Sequence, residues 1–140
     1  MKKYVWNAMA LGLLVAMSSG CAGTKKVAGM LNGKWNITAV KGEPIGKMEK
    51  QPFLEFDATS KRVHGNAGCN IINGDYRQEA GKASSLRFPQ MISTMMACPD
   101  MDTESKILNA LDAVRAFKAT SKDKVILLDA TNKEVLVLSK

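Results

Sequence analysis

Residues 62–76 read Arg62-Val63-His64-Gly65-Asn66-Ala67-Gly68-Cys69-Asn70-Ile71-Ile72-Asn73-Gly74-Asp75-Tyr76, and the reading of this stretch decides the fold. Arg62 to Ala67 has the composition of a strand. Asn73-Gly74 is a hairpin signal, because a type I′ turn needs positive φ at both central residues and Asn and Gly adopt it at least cost. Tyr76 then heads a returning strand. Gly65 and Gly68 permit a bulge or the close approach of another backbone, and Asn70 can bond its own backbone in a turn. Residues of these types suit strained backbone better than they suit a substrate, so the cluster reads as scaffolding.

Upstream, Trp35, Ile37 and Ala39 alternate with Lys34, Asn36 and Thr38, the period-two pattern of a half-buried strand with Trp35 in the core. Lys41 to Gln51 reads as a loop. Phe53 to Asp57 is a second strand, with Leu54 and Phe56 on one face, and Thr59 to Lys61 makes a turn. Downstream of Tyr76, a turn at Ala80 to Lys82 leads into Ser85 to Phe88, where Leu86 and Phe88 share a face, and Pro89 is expected to end that strand. From Asp102 to Val114 the period changes: Ile107, Leu108, Leu111 and Val114 fall on one helical face, with Asp102 as N-cap and Glu104 near the positive end of the helix dipole. Phe117 and Ala119, Val125 to Leu128 and Val135 to Leu138 are then strands of a meander, the last two separated by a turn over Asp129 to Lys133. Seven or eight short strands interrupted by one helix predict an α+β domain with a mostly antiparallel, strongly curled, half-barrel-like sheet.

The 140 residues fit one domain, expected over 31–139. The first twenty differ from the rest. Lys2 and Lys3 precede an apolar run from Val5 to Met17, broken only by Asn7, and then the small residues Ser18, Ser19 and Gly20. This is the layout of an export signal over 1–20, and the run is too short for the ~20 residues a membrane-spanning helix needs. Cys21 follows directly and resembles the acylated cysteine of a lipobox, although Ser18 stands where an aliphatic residue is usual. An ordinary soluble periplasmic protein cleaved at the same place is the alternative. Residues 21–30, with Gly23, Lys25, Lys26 and Gly29, read as a flexible tether.

Without Lys2 and Lys3 the remainder carries 18 basic and 13 acidic residues, net +5, scattered rather than gathered in a run. Solvated surface is the expectation, with no nucleic-acid partner. Of three cysteines, assigning Cys21 to lipid leaves Cys69 and Cys98, which either pair in an oxidising compartment or stay as two buried free thiols. If they pair, the chain-entropy relation gives about 3.6 kcal/mol of stabilisation.

The segment Gly65-Asn66-Ala67-Gly68-Cys69-Asn70, followed by Gly74 and Tyr76, resembles the signature of the META domain family, that of the HslJ-like heat-shock lipoproteins. Thr94-Met95-Met96-Ala97-Cys98-Pro99 is similar to the family's second motif, and Glu104, Leu108 and Leu111 fall where its helix begins. The resemblance runs from about Leu31 to Leu138. It implies a bent antiparallel sheet packed on a helix, similar in shape to the small pilot lipoproteins that escort secretins. Association with the bacterial envelope, with stress response and with novobiocin resistance is implied as well, whereas no activity is. Gly65, Gly68, Cys69, Asn70, Gly74, Tyr76, Met95, Met96 and Cys98 then count as structural motif residues.

Chemistry is sparse. His64 is the only histidine, and it is expected to lack an orienting partner, so no catalytic residue is assigned. Asp100, Asp102 and Glu104 sit where dipole complementarity explains them. Met91, Met95, Met96, Cys98 and Met101 crowd one short segment, and soft sulfur ligands suit Cu(I), which makes a copper or redox module the alternative function. The leading expectation is a monomeric, non-enzymatic outer-membrane lipoprotein without cofactor or metal. It is held to the membrane through Cys21 and binds an envelope protein or apolar ligand against the open side of its curled sheet.

Overall fold

The computed structural model describes residues 29–99 and 101–140. The export signal, Cys21 and the tether as far as residue 28 lie outside the described residues, as does Asp100. Gly29 and Met30, the last two tether positions, are helical and exposed.

The chain is α+β, as the pattern predicts. Its strands are β1 (Gly33–Val40), β2 (Glu43–Pro44), β3 (Phe53–Asp57), β4 (Arg62–Asn66), β5 (Ile71–Arg77), β6 (Arg87–Ser93), β7 (Ala116–Ser121), β8 (Lys124–Leu128) and β9 (Glu134–Ser139), and helix α1 (Met101–Ala113) lies between β6 and β7. One sheet runs β6-β5-β4-β3-β1-β9-β8-β7, with β2 folded back on β1. Every neighbouring pair is antiparallel. The sheet is not closed, but it curls until its two ends nearly meet: Ser85, just before β6, bridges Ala116 at the start of β7.

The concave side is filled. Helix α1 turns Ile107, Ala110 and Leu111 inward and packs across β1, β6 and β9. They join Trp35, Ile37, Leu54, Ile72, Leu86, Leu127 and Leu136 in one core. Fully burying an aliphatic or aromatic side chain contributes about 1.5–3 kcal/mol, so this single cluster is the main source of stability. Phe56 stacks edge-on against Tyr76 at 5.3 Å, and Trp35 Nε1 donates to the Leu31 carbonyl at 2.8 Å. Arg115 closes the helix by donating from Nη1 to the Asp112 and Val114 carbonyls at 2.8 and 2.7 Å.

Five local expectations need correction. Asn73-Gly74 is not a turn. Both residues lie inside β5, opposite His64 and Val63, and neither has positive φ. The β4–β5 connection is Ala67 to Asn70, where Gly68 takes φ +114° and Ala67 N–H donates to the Asn70 carbonyl. Pro89 does not end its strand but lies within β6. There, two residues, Phe88 and Pro89, stand opposite Tyr76 alone, which is a bulge. Thr94 N–H bonds the Ile71 carbonyl, so alternation turns the amides of residues 92 and 90 toward β5. Position 89 then faces the free edge, where a missing N–H costs no ladder bond. In β1 the inward side shifts from Ile37 to Val40 rather than Ala39, because Thr38 is an extra residue opposite β9. The loop over Lys41 to Gln51 contains the short β2. Finally, α1 starts at Met101, which puts Asp102 in the first turn rather than at the N-cap.

Candidate functional site

The two cysteine-centred segments meet at one end of the sheet, joined by the Asn70 side chain and a disulfide, and Glu104 holds the first of them to helix α1. The sequence places Glu104 at a helix start by its charge and by the family resemblance, with no further role. In the fold it is 2% exposed, reaching from the first turn of α1 under the β4–β5 connection. Its Oε2 accepts the backbone N–H groups of Cys69 at 3.2 Å and Asn70 at 2.8 Å, and its Oε1 accepts from Asn70 Nδ2.

Asn70 was expected to bond its own turn; that role falls to Asn66. Asn66 Oδ1 accepts from Gly68 N–H at 2.7 Å, which supports the glycine in its left-handed conformation. The Asn70 amide instead works across the chain. Its Nδ2 donates to the Met96 carbonyl at 3.1 Å as well as to Glu104, while its Oδ1 accepts the Thr94 hydroxyl at 2.8 Å and Met96 N–H at 2.7 Å. All four hydrogen-bonding positions of the amide are used, and Met96 is held at both its N–H and its C=O. One step further on, Cys69 and Cys98 form a disulfide with a Cα–Cα separation of 5.9 Å.

Met95, between these anchors, is 98% exposed. Met96 and Met101 beside it, Ile71 at the start of β5 and Ile92 near the end of β6 are also exposed large apolar side chains, and Met95, Met96 and Met101 border an open hollow of about 330 Å³ floored by Asn70 and Glu104. This is where apolar surface is available. The open side of the curled sheet, where binding was expected, is occupied by the core. Of the five sulfur residues read as a copper set, Met91 packs inward against Gly74 and Cys98 is bonded to Cys69. Among the described residues no three His, Cys, Asp or Glu side chains gather as a metal site.

The two remaining motif glycines serve packing. A Cβ on Gly65 would run into the Phe53 carbonyl oxygen, and one on Gly74 would meet the Met91 sulfur. Tyr76 is buried, and its hydroxyl has no hydrogen-bond partner among the described residues. Burial, and then the Asp57 charge, raise its pKa above 10.0.

His64 does have a carboxylate partner, contrary to expectation. Its Nε2 lies 3.4 Å from Glu55 Oε2, directly across the β3–β4 pair. Both side chains are about half exposed, in a broad hollow of about 560 Å³ on the outer face, also bordered by Ser60, Arg62 and Asn73. At its edge Asp57 Oδ1 accepts Thr59 and Ser60 N–H at 2.9 and 3.2 Å. Bonds from the Ser60 side chain and from these amides hold the Asp57 carboxyl below its ordinary pKa.

The META domain family model matches residues 28–140. Several solved structures share the fold. One is the NMR structure of a protein from Burkholderia xenovorans, 20% identical, covering 81% of this chain and 86% of that one at a TM-score of 0.60. Another is a DUF4847 family protein from Bacteroides vulgatus, 16% identical over 79% of this chain and 93% of that one, at a TM-score of 0.55. At such identities the likeness concerns the fold alone. No curated protein matches the chain significantly.

Proposed function

Because the chain belongs to the META domain family, we propose that it is an envelope lipoprotein, acylated at Cys21, that works by binding rather than by catalysis. The observation that carries the binding role is the apolar end of the domain, where Met95 is 98% and Ile92 is 62% exposed. Monomeric domains rarely leave such side chains clustered in water unless something covers them. The export layout of residues 1–20 and the cysteine after it support the anchor. An oxidising compartment is also where a disulfide such as Cys69–Cys98 persists. A role in envelope stress is inherited from the family resemblance.

Two measurements test this reading. Metabolic labelling with an alkyne-tagged palmitate is expected to mark the protein and to fail with Cys21→Ser; an unlabelled, unprocessed chain would refute the anchor. Amine-reactive crosslinking of intact envelopes is expected to give discrete adducts of the chain. No adduct, together with no ligand in native mass spectra, would refute binding. The copper alternative retains the thioethers of Met95, Met96 and Met101 but has lost Cys98 to the disulfide, and nothing in the site favours it.

A further inference from the structure

We infer that the Met95 end of the domain is a preorganised docking knob for a second protein of the envelope, turned away from the membrane that holds the anchor. The inference deepens the binding role proposed above and rests on its lipid anchor.

The first argument is where the chain enters. Asn32 Oδ1 accepts Ala58 N–H at 3.0 Å, so the tether joins the domain beside the β3–β4 turn. Strand β4 leads away from that turn, from Arg62 to Asn66, and Ile71 and Thr94 lie level with its far end. The Met95 segment is therefore at the opposite pole. The ten residues from Cys21 to Met30 can reach at most roughly 35 Å even when fully extended. A domain of this size is roughly 30 Å across, twice its radius of gyration and more. Bringing Met95 to the bilayer would need the tether drawn to nearly its full length along the flank of the domain. The near pole faces lipid, and the far pole faces the aqueous compartment, where a protein is the partner within reach.

The second argument is rigidity. Met95 is not exposed because its segment is loose. Asn70 grips Thr94 and Met96 on either side of it, and the disulfide fixes Cys98. Ordering a loop on binding costs free energy, and here that ordering is already done in the folded domain. The thioether is long, flexible and polarisable, suited to an apolar pocket of imperfect shape. The implied partner presents an apolar groove that takes Met95, with Ile92 and Ile71 lying along its rim.

The experiment places a photoreactive benzoylphenylalanine at position 95 of the full-length, lipidated chain in cells, with position 59 at the tethered pole as control. Position 95 is expected to give one discrete adduct with another protein, and position 59 is expected not to. With that protein purified, Met95→Asp and Ile92→Asp should each weaken binding tenfold or more at unchanged Tm. Adducts at position 95 with lipid or with a second copy of this chain would overturn the inference, as would no adduct or unaltered affinity in both variants. An adduct formed from position 59 alone would overturn this site while leaving the binding role intact, and loss of palmitate labelling would strike the anchor independently.

Discussion

Replacing Glu104 with glutamine exchanges one atom for another of nearly equal size, yet it should destabilise the domain measurably. Glu104 Oε2 serves two backbone donors and Oε1 serves the Asn70 amide. Glutamine offers one oxygen. If that oxygen stays under Cys69 and Asn70 N–H, the new amide NH2 faces Asn70 Nδ2, donor against donor. Asn70 cannot flip to relieve this, because its Oδ1 is already taken by Thr94 and Met96. The loss is one hydrogen bond to a carboxyl group in a buried site, about 1.5–3 kcal/mol. The opposite orientation strands both backbone donors and is worse. Glu104→Ala removes all three bonds and should cost about 3–5 kcal/mol, a large share of the total stability of such a domain. Urea unfolding read by Trp35 fluorescence provides the test, with unchanged m expected and a lower midpoint. At roughly 4 °C or more per kcal/mol the loss should also appear as a clear fall in Tm. Glu104→Gln within 0.5 kcal/mol of the parent would mean that the carboxyl does not hold the β4–β5 connection.

Other positions give independent outcomes. Gly65→Ala drives a methyl into the Phe53 carbonyl, which cannot move without breaking the β3–β4 ladder, so a loss of about 3 kcal/mol or more is expected in the same assay. A soluble, equally stable protein would refute the close approach. Tyr76→Phe should lie between no change and a gain of about 1 kcal/mol, since the hydroxyl is buried without a partner among the described residues; a clear loss would reveal a bond not accounted for. Cys69→Ala with Cys98→Ala should cost about 3.6 kcal/mol for a closure spanning 29 residues, and thermal unfolding with and without reductant checks it. Asp57 and Asp129 both sit below 3.8, the first through Ser60 and the amides of Ser60 and Thr59, the second through the Thr131 hydroxyl and the Lys133 amide. Their contribution is present above the unfolded-state value and disappears as pH falls through the lowered folded-state values. NMR titration should find both carboxyls below 3.8 with the Thr59 and Thr131 amides following them; ordinary values would contradict the turn bonds.

Much of the fold was legible because burial leaves a period in the sequence. Leu54 with Phe56, Leu86 with Phe88, and Ile107 with Leu111 and Val114 are buried as their spacing predicts. Local rules failed where a tertiary neighbour had the stronger claim. Asn73-Gly74 satisfies the chemistry of a turn, but Gly74 is there because Met91 passes over it. Pro89 reads as a terminator, yet a bulge on an outer edge gives it a place no local pattern announces. At the candidate site the cysteine pair could be counted from the sequence, whereas Glu104 could not be distinguished from an ordinary acidic residue in a first helical turn. An acid three residues into a helix, following a segment crowded with Cys, Asn and Gly that needs buried donors satisfied, is the only trace it leaves.

The polar pair at Glu55 and His64 and the cluster around Asn70 differ in what holds them, and that difference favours one as the working surface. His64 and Glu55 face each other on the outer face of the sheet, about half in water. A pair of that kind is worth at most about 1 kcal/mol, and solvent competes for both partners. Around Asn70 every donor and acceptor of the amide is taken, by Glu104, the Thr94 hydroxyl or the Met96 backbone, and the disulfide duplicates the restraint covalently. The core does not require this, because the segment from Thr94 to Met96 contributes no buried side chain to it. Asparagine, glutamate and a disulfide are thus concentrated on fixing a segment that leaves Met95 in solvent. Such an arrangement makes physical sense if the shape presented there matters more than the stability gained.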